Sequence, residues 1–269
     1  MTPYAEVIGD PIAHSKSPLI HRFWLEALGL EGDYRATRVA PGDLAAFFAD
    51  RAADPAWRGC NITVPHKVEA LDHVADPGDV RASIGAINTV FRGEDGALAG
   101  TNTDAAGFWA PIAELDLADR PVTVVGAGGA ARAILWALAR IGVGPVTILN
   151  RNPLKAAALL ASFGLKGDAL PLAAGTPPAA LLVNATSLGM TGQPPLDLDL
   201  SPLADDAVVY DIVYAPLETP LLAQARRRGL ATVDGLEMLV GQAAVAFAIL
   251  FGQEPLRDRD DELRALLTA

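Results

Sequence analysis

Three stretches of this chain carry side chains whose types and spacing suit chemistry on a phosphate-bearing cofactor. The first is Gly126-Ala127-Gly128-Gly129-Ala130-Ala131, which follows a β-rich run at 122–125 and opens an amphipathic stretch. Strand, glycine-rich turn and helix start in that order form the dinucleotide fingerprint. Glycines permit a tight turn and a close backbone approach, and a pyrophosphate then meets unpaired amides at the positive end of the helix. The second stretch is Asn150-Arg151-Asn152 with Lys155, at the end of the next β-rich run. An NAD site usually offers a carboxylate there, and this chain has none; a guanidinium can pair with a 2′-phosphate, so the cofactor expected is NADP. A solvated basic helix start with Asn152 as its cap is the plainer alternative. The third is the polar loop 184–190 with Thr186, on the side where such sheets bind ligands, although its composition also makes an ordinary turn.

A second set of residues suits a small polar substrate. His14-Ser15-Lys16-Ser17-Pro18 opens a helix with Ser17 as cap and Pro18 at its first position, and the hydroxyls of Ser15 and Ser17 beside a helix start would cradle a carboxylate. In Asn61-Ile62-Thr63-Val64-Pro65-His66-Lys67 a strand passes through Pro65 into a helix. Lys67 then stands in the first turn, where a cation costs a few tenths of a kcal/mol but is suited to proton exchange; a solvated surface lysine is the alternative. Asp104 precedes another helix and is accounted for as its cap, or as a carboxylate orienting Lys67. Gln242 is the single strongly polar side chain in the apolar stretch 239–251, so it needs a partner or a ligand.

These residues require a frame of alternating strands and helices. Strands are expected at 4–8, 34–39, 59–63, 86–91, 122–125, 146–149, 181–184 and 208–213, and helices at 18–28, 104–115, 130–141, 153–161 and 235–251. Such alternation predicts an α/β class with parallel strands joined by helical crossovers. The boundary falls near 100–104, and Pro121 before a new strand marks the start of a second sheet. The two α/β domains expected are a substrate domain at 1–103, completed by helices at 239–269, and a Rossmann-type nucleotide domain at 104–238, with a cleft between them.

Composition narrows the function. With 269 residues, 51% of them hydrophobic and 20% charged, the chain has material for two packed cores. A net charge of -11 disfavours a phosphate-backbone partner, and no nucleic acid is expected. The apolar stretch 239–251 would span about 20 Å as a helix, short of a bilayer's roughly 30 Å core, so no membrane partner is expected. Cys60 is the single cysteine and no secretory pattern opens the chain, which points to the cytoplasm. No metal is expected, because His14, His21, His66 and His73 form no ligand spacing with acids or Cys60.

Taken in order, the motifs resemble those of the shikimate dehydrogenase family over nearly the whole chain. They are Ser15-Lys16-Ser17-Pro18, Asn61 to Lys67, Gly85-Ala86-Ile87-Asn88-Thr89, Asn102-Thr103-Asp104 and the glycine-rich turn. They continue with Asn184 to Met190, Tyr210-Asp211-Ile212-Val213-Tyr214 with Pro216, Thr219 and Pro220, and Asp234-Gly235-Leu236-Glu237-Met238-Leu239 with Gln242. The resemblance implies reversible NADPH-dependent reduction of 3-dehydroshikimate to shikimate in aromatic biosynthesis, with Lys67 and Asp104 as the catalytic pair. It implies that Ser15 and Ser17 hold the substrate carboxylate and that Asn61, Thr63, Asn88, Tyr214 and Gln242 complete the substrate site. It also implies that Val213, Gly235 and Met238 join Thr186, the glycine-rich turn and residues 150–155 around the cofactor, in a monomer or homodimer.

One departure bears on the cofactor. Family members often show Asn-Arg-Thr followed by Arg at the 2′-phosphate, where this chain has Asn152 and Lys155, a flexible point charge replacing a planar fork. Phe251 replaces a frequent Trp. The alternatives are a quinate or broad-specificity dehydrogenase and, from another class, a silent NADP-binding sensor, which has no need of both Lys67 and Asp104.

Overall fold

The computed structural model describes residues 1–269. In the first part of the chain the elements run β1 (Tyr4–Gly9), α1 (Ser17–Ala27), β2 (Asp33–Arg38), α2 (Leu44–Ala53), β3 (Trp57–Ile62), α3 (Val80–Ser83), β4 (Thr89–Arg92) and β5 (Leu98–Thr101). Then come α4 (Asp104–Trp109), β6 (Val122–Val125), α5 (Gly129–Ile141), β7 (Val146–Asn150), α6 (Pro153–Ser162), β8 (Ala169–Pro171), β9 (Leu181–Asn184), β10 (Val208–Asp211), α7 (Pro220–Arg227), β11 (Ala231–Val233), α8 (Gly235–Phe251) and α9 (Asp260–Thr268). The chain forms two units, one of Met1–Asp104 with Val240–Ala269, the other of Ala105–Leu239.

The first unit holds a five-stranded sheet in the order β2-β1-β3-β4-β5. Its first three strands are parallel, whereas β3, β4 and β5 pair antiparallel, which departs from the parallel pattern expected throughout. For β4 and β5 the reason is local: Asp95-Gly96 turns the chain back, with the Gly93 amide bonded to the Ala97 carbonyl at 2.8 Å. Ala246 and Leu250 of α8 pack on Ala5, Val7, Ile12 and Tyr34. Burying side chains of this size contributes about 1.5 to 3 kcal/mol for each large one, and those packing contacts fix the helix that carries Gln242.

The second unit is built on a six-stranded, wholly parallel sheet in the order β11-β10-β9-β6-β7-β8. Its strands β6, β9 and β10 are buried at every position, which explains why they read as mainly apolar runs instead of alternating ones. Successive residues face opposite layers: Val124, Ile148, Val183 and Tyr210 join one core, and Val125, Leu149, Leu182 and Val209 the other. Winding runs outward in both directions from the adjacent strands β6 and β9, so the loops leaving their carboxyl ends flank the crevice where a doubly wound, Rossmann-type sheet takes its ligand.

Several local expectations differ from what is observed. The helix expected at 104–115 stops at Trp109 and continues as a single 3-10 turn, Ala110–Ile112, because Pro111 offers no amide to the ladder. The strand expected at 86–91 begins at Thr89, since the Ile87 amide is bonded to the Lys67 carbonyl at 2.7 Å. Elements α2, α3, β5, α7, β8 and β11 are additional to the expected ones. No helix is long and apolar enough to cross a membrane.

Candidate active site

In the first unit a carboxylate and an ammonium from distant segments meet. Lys67 does not open a helix as expected; it lies in a run of turns ahead of a 3-10 turn, Glu69–Asp72. Its Nζ donates to Asp104 Oδ2. Both are largely enclosed, with side chains 14% and 5% exposed, so water screens the pair weakly. Asp104 opens α4, yet its carboxylate serves Lys67 and Asn88 and not the helix amides; Asn102 Oδ1 takes the Asp104 amide at 3.0 Å.

Asn88 holds the other side of Asp104. Its Nδ2 donates to Asp104 Oδ1 at 2.9 Å, to Thr103 Oγ1 at 2.9 Å and to Gln242 Oε1 at 3.4 Å. Its Oδ1 accepts from the Thr103 amide at 2.7 Å and from Thr89 Oγ1 at 3.1 Å. Gln242, expected to need a partner, therefore meets Asn88, and Thr103 Oγ1 at 3.5 Å. Asn61 is committed inside the protein. Its Oδ1 accepts from Tyr34 Oη at 2.6 Å, and its Nδ2 donates to the Asn88 carbonyl at 3.3 Å and to Thr89 Oγ1 at 2.9 Å. The geometry thus makes Asn61 a support for Asn88, one step behind the substrate contact expected of it.

Ser15 and Ser17 lie together, but Ser17 is not the cap of α1. Lys16 occupies that position, and the Ser17 amide is taken by Ser15 Oγ at 3.3 Å. Lys16 Nζ in turn donates to the carbonyl of Leu267 in α9, tying the serine loop to that helix. Thr63 follows β3 directly, its amide bonded to the Ile8 carbonyl at 2.9 Å. Thr89, Asn102 and Thr103 stand in the motifs quoted from the sequence without a role of their own, and the structure gives them one as partners of Asn88, Asn61 and Asp104.

The residues expected to hold the cofactor lie in the second unit. Helix α5 starts at Gly129 with Gly128 as its cap and no side chain satisfying the first amides, which leaves a bare donor set of the kind a pyrophosphate fits. Gly126 has φ +109°, and a Cβ on it would stand 2.8 Å from Thr186 Cγ2 and 3.0 Å from the Ala185 carbonyl, so only glycine lets this turn lie against loop 184–190. Ala127 is buried and Ala130 half-buried in the same turn. At the end of β7, Asn150 Nδ2 donates to the Asn152 carbonyl at 2.9 Å, and Asn152 Oδ1 caps α6 through the Lys155 amide at 3.2 Å. The two asparagines thus shape the helix start, while Arg151 and Lys155 stand exposed.

Thr186 is held by Asn184, whose Oδ1 accepts from its amide at 3.1 Å and from its hydroxyl at 2.7 Å. Val213 donates its amide to Asp211 Oδ1 at 3.0 Å. Gly235 begins α8 so close to this strap that a Cβ would meet the Ile212 and Val213 carbonyl oxygens at 2.5 Å. Met238 is buried in the core of the unit beside Tyr210 and Val233, so it contributes packing and not an open contact. Tyr214 belongs to this unit, and burial raises its phenol above the ordinary range.

Comparisons with known proteins agree with this arrangement. The model described as "Shikimate dehydrogenase substrate binding domain" matches residues 7–90, "Shikimate / quinate 5-dehydrogenase" matches 110–174, and "Shikimate 5'-dehydrogenase C-terminal domain" matches 235–260. The chain is 68% identical over 268 residues to a shikimate dehydrogenase (NADP(+)) of Sphingopyxis alaskensis, covering 100% of this chain and 98% of the relative. The crystal structure of shikimate 5-dehydrogenase from Thermus thermophilus in complex with NADP(H) and shikimate is 38% identical, with TM-score 0.86 over 98% of this chain and 99% of that one. Quinate dehydrogenase from Corynebacterium glutamicum in complex with NAD is 31% identical, with TM-score 0.86 over 98% and 99% of the two chains. With full-length identity at that level, a doubly wound nucleotide unit and a lysine and aspartate joined in the other unit, this chain belongs to the shikimate dehydrogenase family.

Proposed function

We propose that the protein is an NADP-dependent shikimate dehydrogenase that interconverts 3-dehydroshikimate and shikimate, with Lys67 and Asp104 handling the proton. The observation that carries this reading is the enclosed Lys67 and Asp104 pair, built with Asn88, Thr103 and Gln242 from four separate segments of one unit. An ammonium has three donors, and the protein itself claims one of Lys67's, through Asp104, so the others are available to a ring oxygen. Bound NADPH supplies a hydride to the ring C3 carbonyl. Lys67 supplies or relays the proton to that oxygen, and Asp104 fixes its direction. Their acid and base roles belong to the pair and not to either group singly. Ser15 and Ser17 hold the substrate carboxylate, and Thr63, Asn88 and Gln242 line the ring hydroxyls.

In the nucleotide unit the bare amides at the start of α5 receive the pyrophosphate, and Gly126 to Ala130 give the approach it needs. Arg151 and Lys155 attract the 2′-phosphate, on a helix start shaped by Asn150 and Asn152. Thr186, Val213 and Gly235 border the nicotinamide, with Met238 packed behind. The substrate unit is the one of Met1–Asp104 with Val240–Ala269, and the nucleotide unit the one of Ala105–Leu239. A reducing compartment suits a chain whose single thiol, Cys60, is buried, and we place the enzyme in the cytoplasm as a monomer or homodimer, which sedimentation in solution tests.

The test is reduced-nicotinamide absorbance on mixing the protein with NADP and shikimate, then with quinate, then each with NAD. Turnover of shikimate with NADP well above the other combinations is expected. The 31% identical quinate dehydrogenase favours a competing assignment, and faster turnover of quinate than of shikimate would put that assignment in place of ours.

A further inference from the structure

Asp211, at the end of β10, is fully buried and has no cationic partner: burial raises its carboxyl above the ordinary range, and the opposing influences are all hydrogen bonds. Asn184 Nδ2 and the Val213 amide donate to Oδ1 at 2.9 and 3.0 Å, and Thr219 Oγ1 donates to Oδ2 at 2.7 Å. We propose that Asp211 is a positioning residue for the nicotinamide side of the cofactor site, acting through Asn184 and Thr219 to fix the loops that carry Thr186 and Val213. This rests on the assignment of those two residues to the cofactor.

The bonds fan out from one carboxylate to both ends of the loop 212–219 and to the start of the loop 184–190. Val213 is held directly. Thr186 is held at one remove, because Asn184 donates to the Leu188 carbonyl at 3.0 Å while its Oδ1 takes both the amide and the hydroxyl of Thr186. The Leu188 amide closes that loop on Thr186 Oγ1 at 3.0 Å. Thr219, the third donor, caps α7 through the Leu222 amide at 3.2 Å. Against these pinned loops stand the two glycines that tolerate no side chain, Gly126 beside Thr186 and Gly235 beside Val213.

A buried carboxylate without a cation is a costly way to join two strands, and here the strands do not need it. β9 and β10 are already paired by their ladder in the register Asp211↔Asn184, and apolar residues of similar size stabilise such positions as well or better. What the carboxylate adds is direction. It presents two acceptor oxygens on fixed bearings, so the backbone of the loops beyond the strands is held in one arrangement before a ligand arrives.

The experiment compares the full chain with Asp211→Ala, Thr219→Val and Thr219→Ser, measuring kcat, the KM of NADPH and of shikimate, and the Kd of 2′,5′-ADP, which lacks the nicotinamide. Asp211→Ala and Thr219→Val should raise the KM of NADPH about tenfold, with 2′,5′-ADP affinity and the KM of shikimate within about twofold of wild type. Thr219→Ser, which keeps the hydroxyl, should restore the wild-type value. If Asp211→Ala does not fold, the Thr219 pair decides alone. An unchanged KM for NADPH in Thr219→Val, or equal loss of NADPH and 2′,5′-ADP binding, overturns the proposal. A wild-type chain that fails to bind 2′,5′-ADP at all would instead sink the cofactor assignment beneath it.

Discussion

The first unit contains two enclosed pairs of a carboxylate and a cation that look alike in chemistry and differ in what is left over. Glu6, 1% exposed, takes Arg51 Nε at 2.6 Å, Trp57 Nε1 at 2.9 Å and the hydroxyl of Thr37. Its partner Arg51 also packs its guanidinium over the Phe47 ring at 5.0 Å. Both sides of that pair are consumed by strand, helix and ring neighbours. At Lys67 and Asp104 each carboxylate oxygen has one donor, from Lys67 and from Asn88, but the ammonium keeps donors that no protein group takes. A saturated pair braces the fold, and an unsaturated one is equipped to act on something else.

That contrast can be broken by exchanging the readouts. Lys67→Ala should lower kcat per folded molecule by about a thousandfold, the middle of the range for a positioned proton donor. Wild-type-like turnover would remove Lys67 from the chemistry. Glu6→Ala should do the reverse: unfolding free energy falls by about 3 to 5 kcal/mol, because Arg51 loses its buried partner, while kcat per folded molecule stays within about twofold. A brace that proved kinetically important would end the distinction.

Sharpening it in the nucleotide unit, Arg151→Ala should raise the KM of NADPH by about ten- to a hundredfold and that of NADH far less, as loss of a charge-assisted bond to a 2′-phosphate requires. Equal losses for both cofactors would contradict the contact.

A smaller effect comes from His21, which is neither brace nor tool. It is fully buried and stacked on Tyr34 with centroids 3.9 Å apart, and neither ring nitrogen has a hydrogen-bond partner. Burial pulls its pKa down to about 3. The unfolded chain, with an ordinary imidazole near 6.5, then binds the extra proton between about pH 6.5 and 3, so stability falls as pH drops through that window. Between pH 7 and 5.5 the loss should be about 1 kcal/mol, and His21→Phe should flatten the unfolding profile by that amount. An unchanged slope would mean that the imidazole is solvated.

The sequence made the parallel sheet of the nucleotide unit legible because strands buried on both faces announce themselves as apolar runs, as at Val122–Val125 and Leu181–Asn184. Edge strands do not, and Ala169–Pro171 and Ala231–Val233, three residues each, offer too short a pattern. The hairpin strand Leu98–Thr101 and helix α7 had usable signals, Asp95-Gly96 and Thr219-Pro220, that went unread. At the site, types and spacing left Asp104 either as a helix cap or as a carboxylate orienting Lys67, and the bond between the two decides for the second. The partners of a single asparagine such as Asn88, drawn from residues 89, 103, 104 and 242, are set by tertiary packing, which no local pattern encodes. The same holds for Asn61, whose bonds to Tyr34, Asn88 and Thr89 are drawn from other segments of the chain.

Arg151 and Lys155 face open solvent at the start of α6, unlike the enclosed lysine of the other unit. Charges so placed act through water and its ions, where fields fade within about 8 Å at physiological salt. Ionic strength therefore becomes a dial on cofactor choice: adding salt should erode the advantage of the phosphorylated nucleotide over its plain counterpart, and leave the proton step untouched.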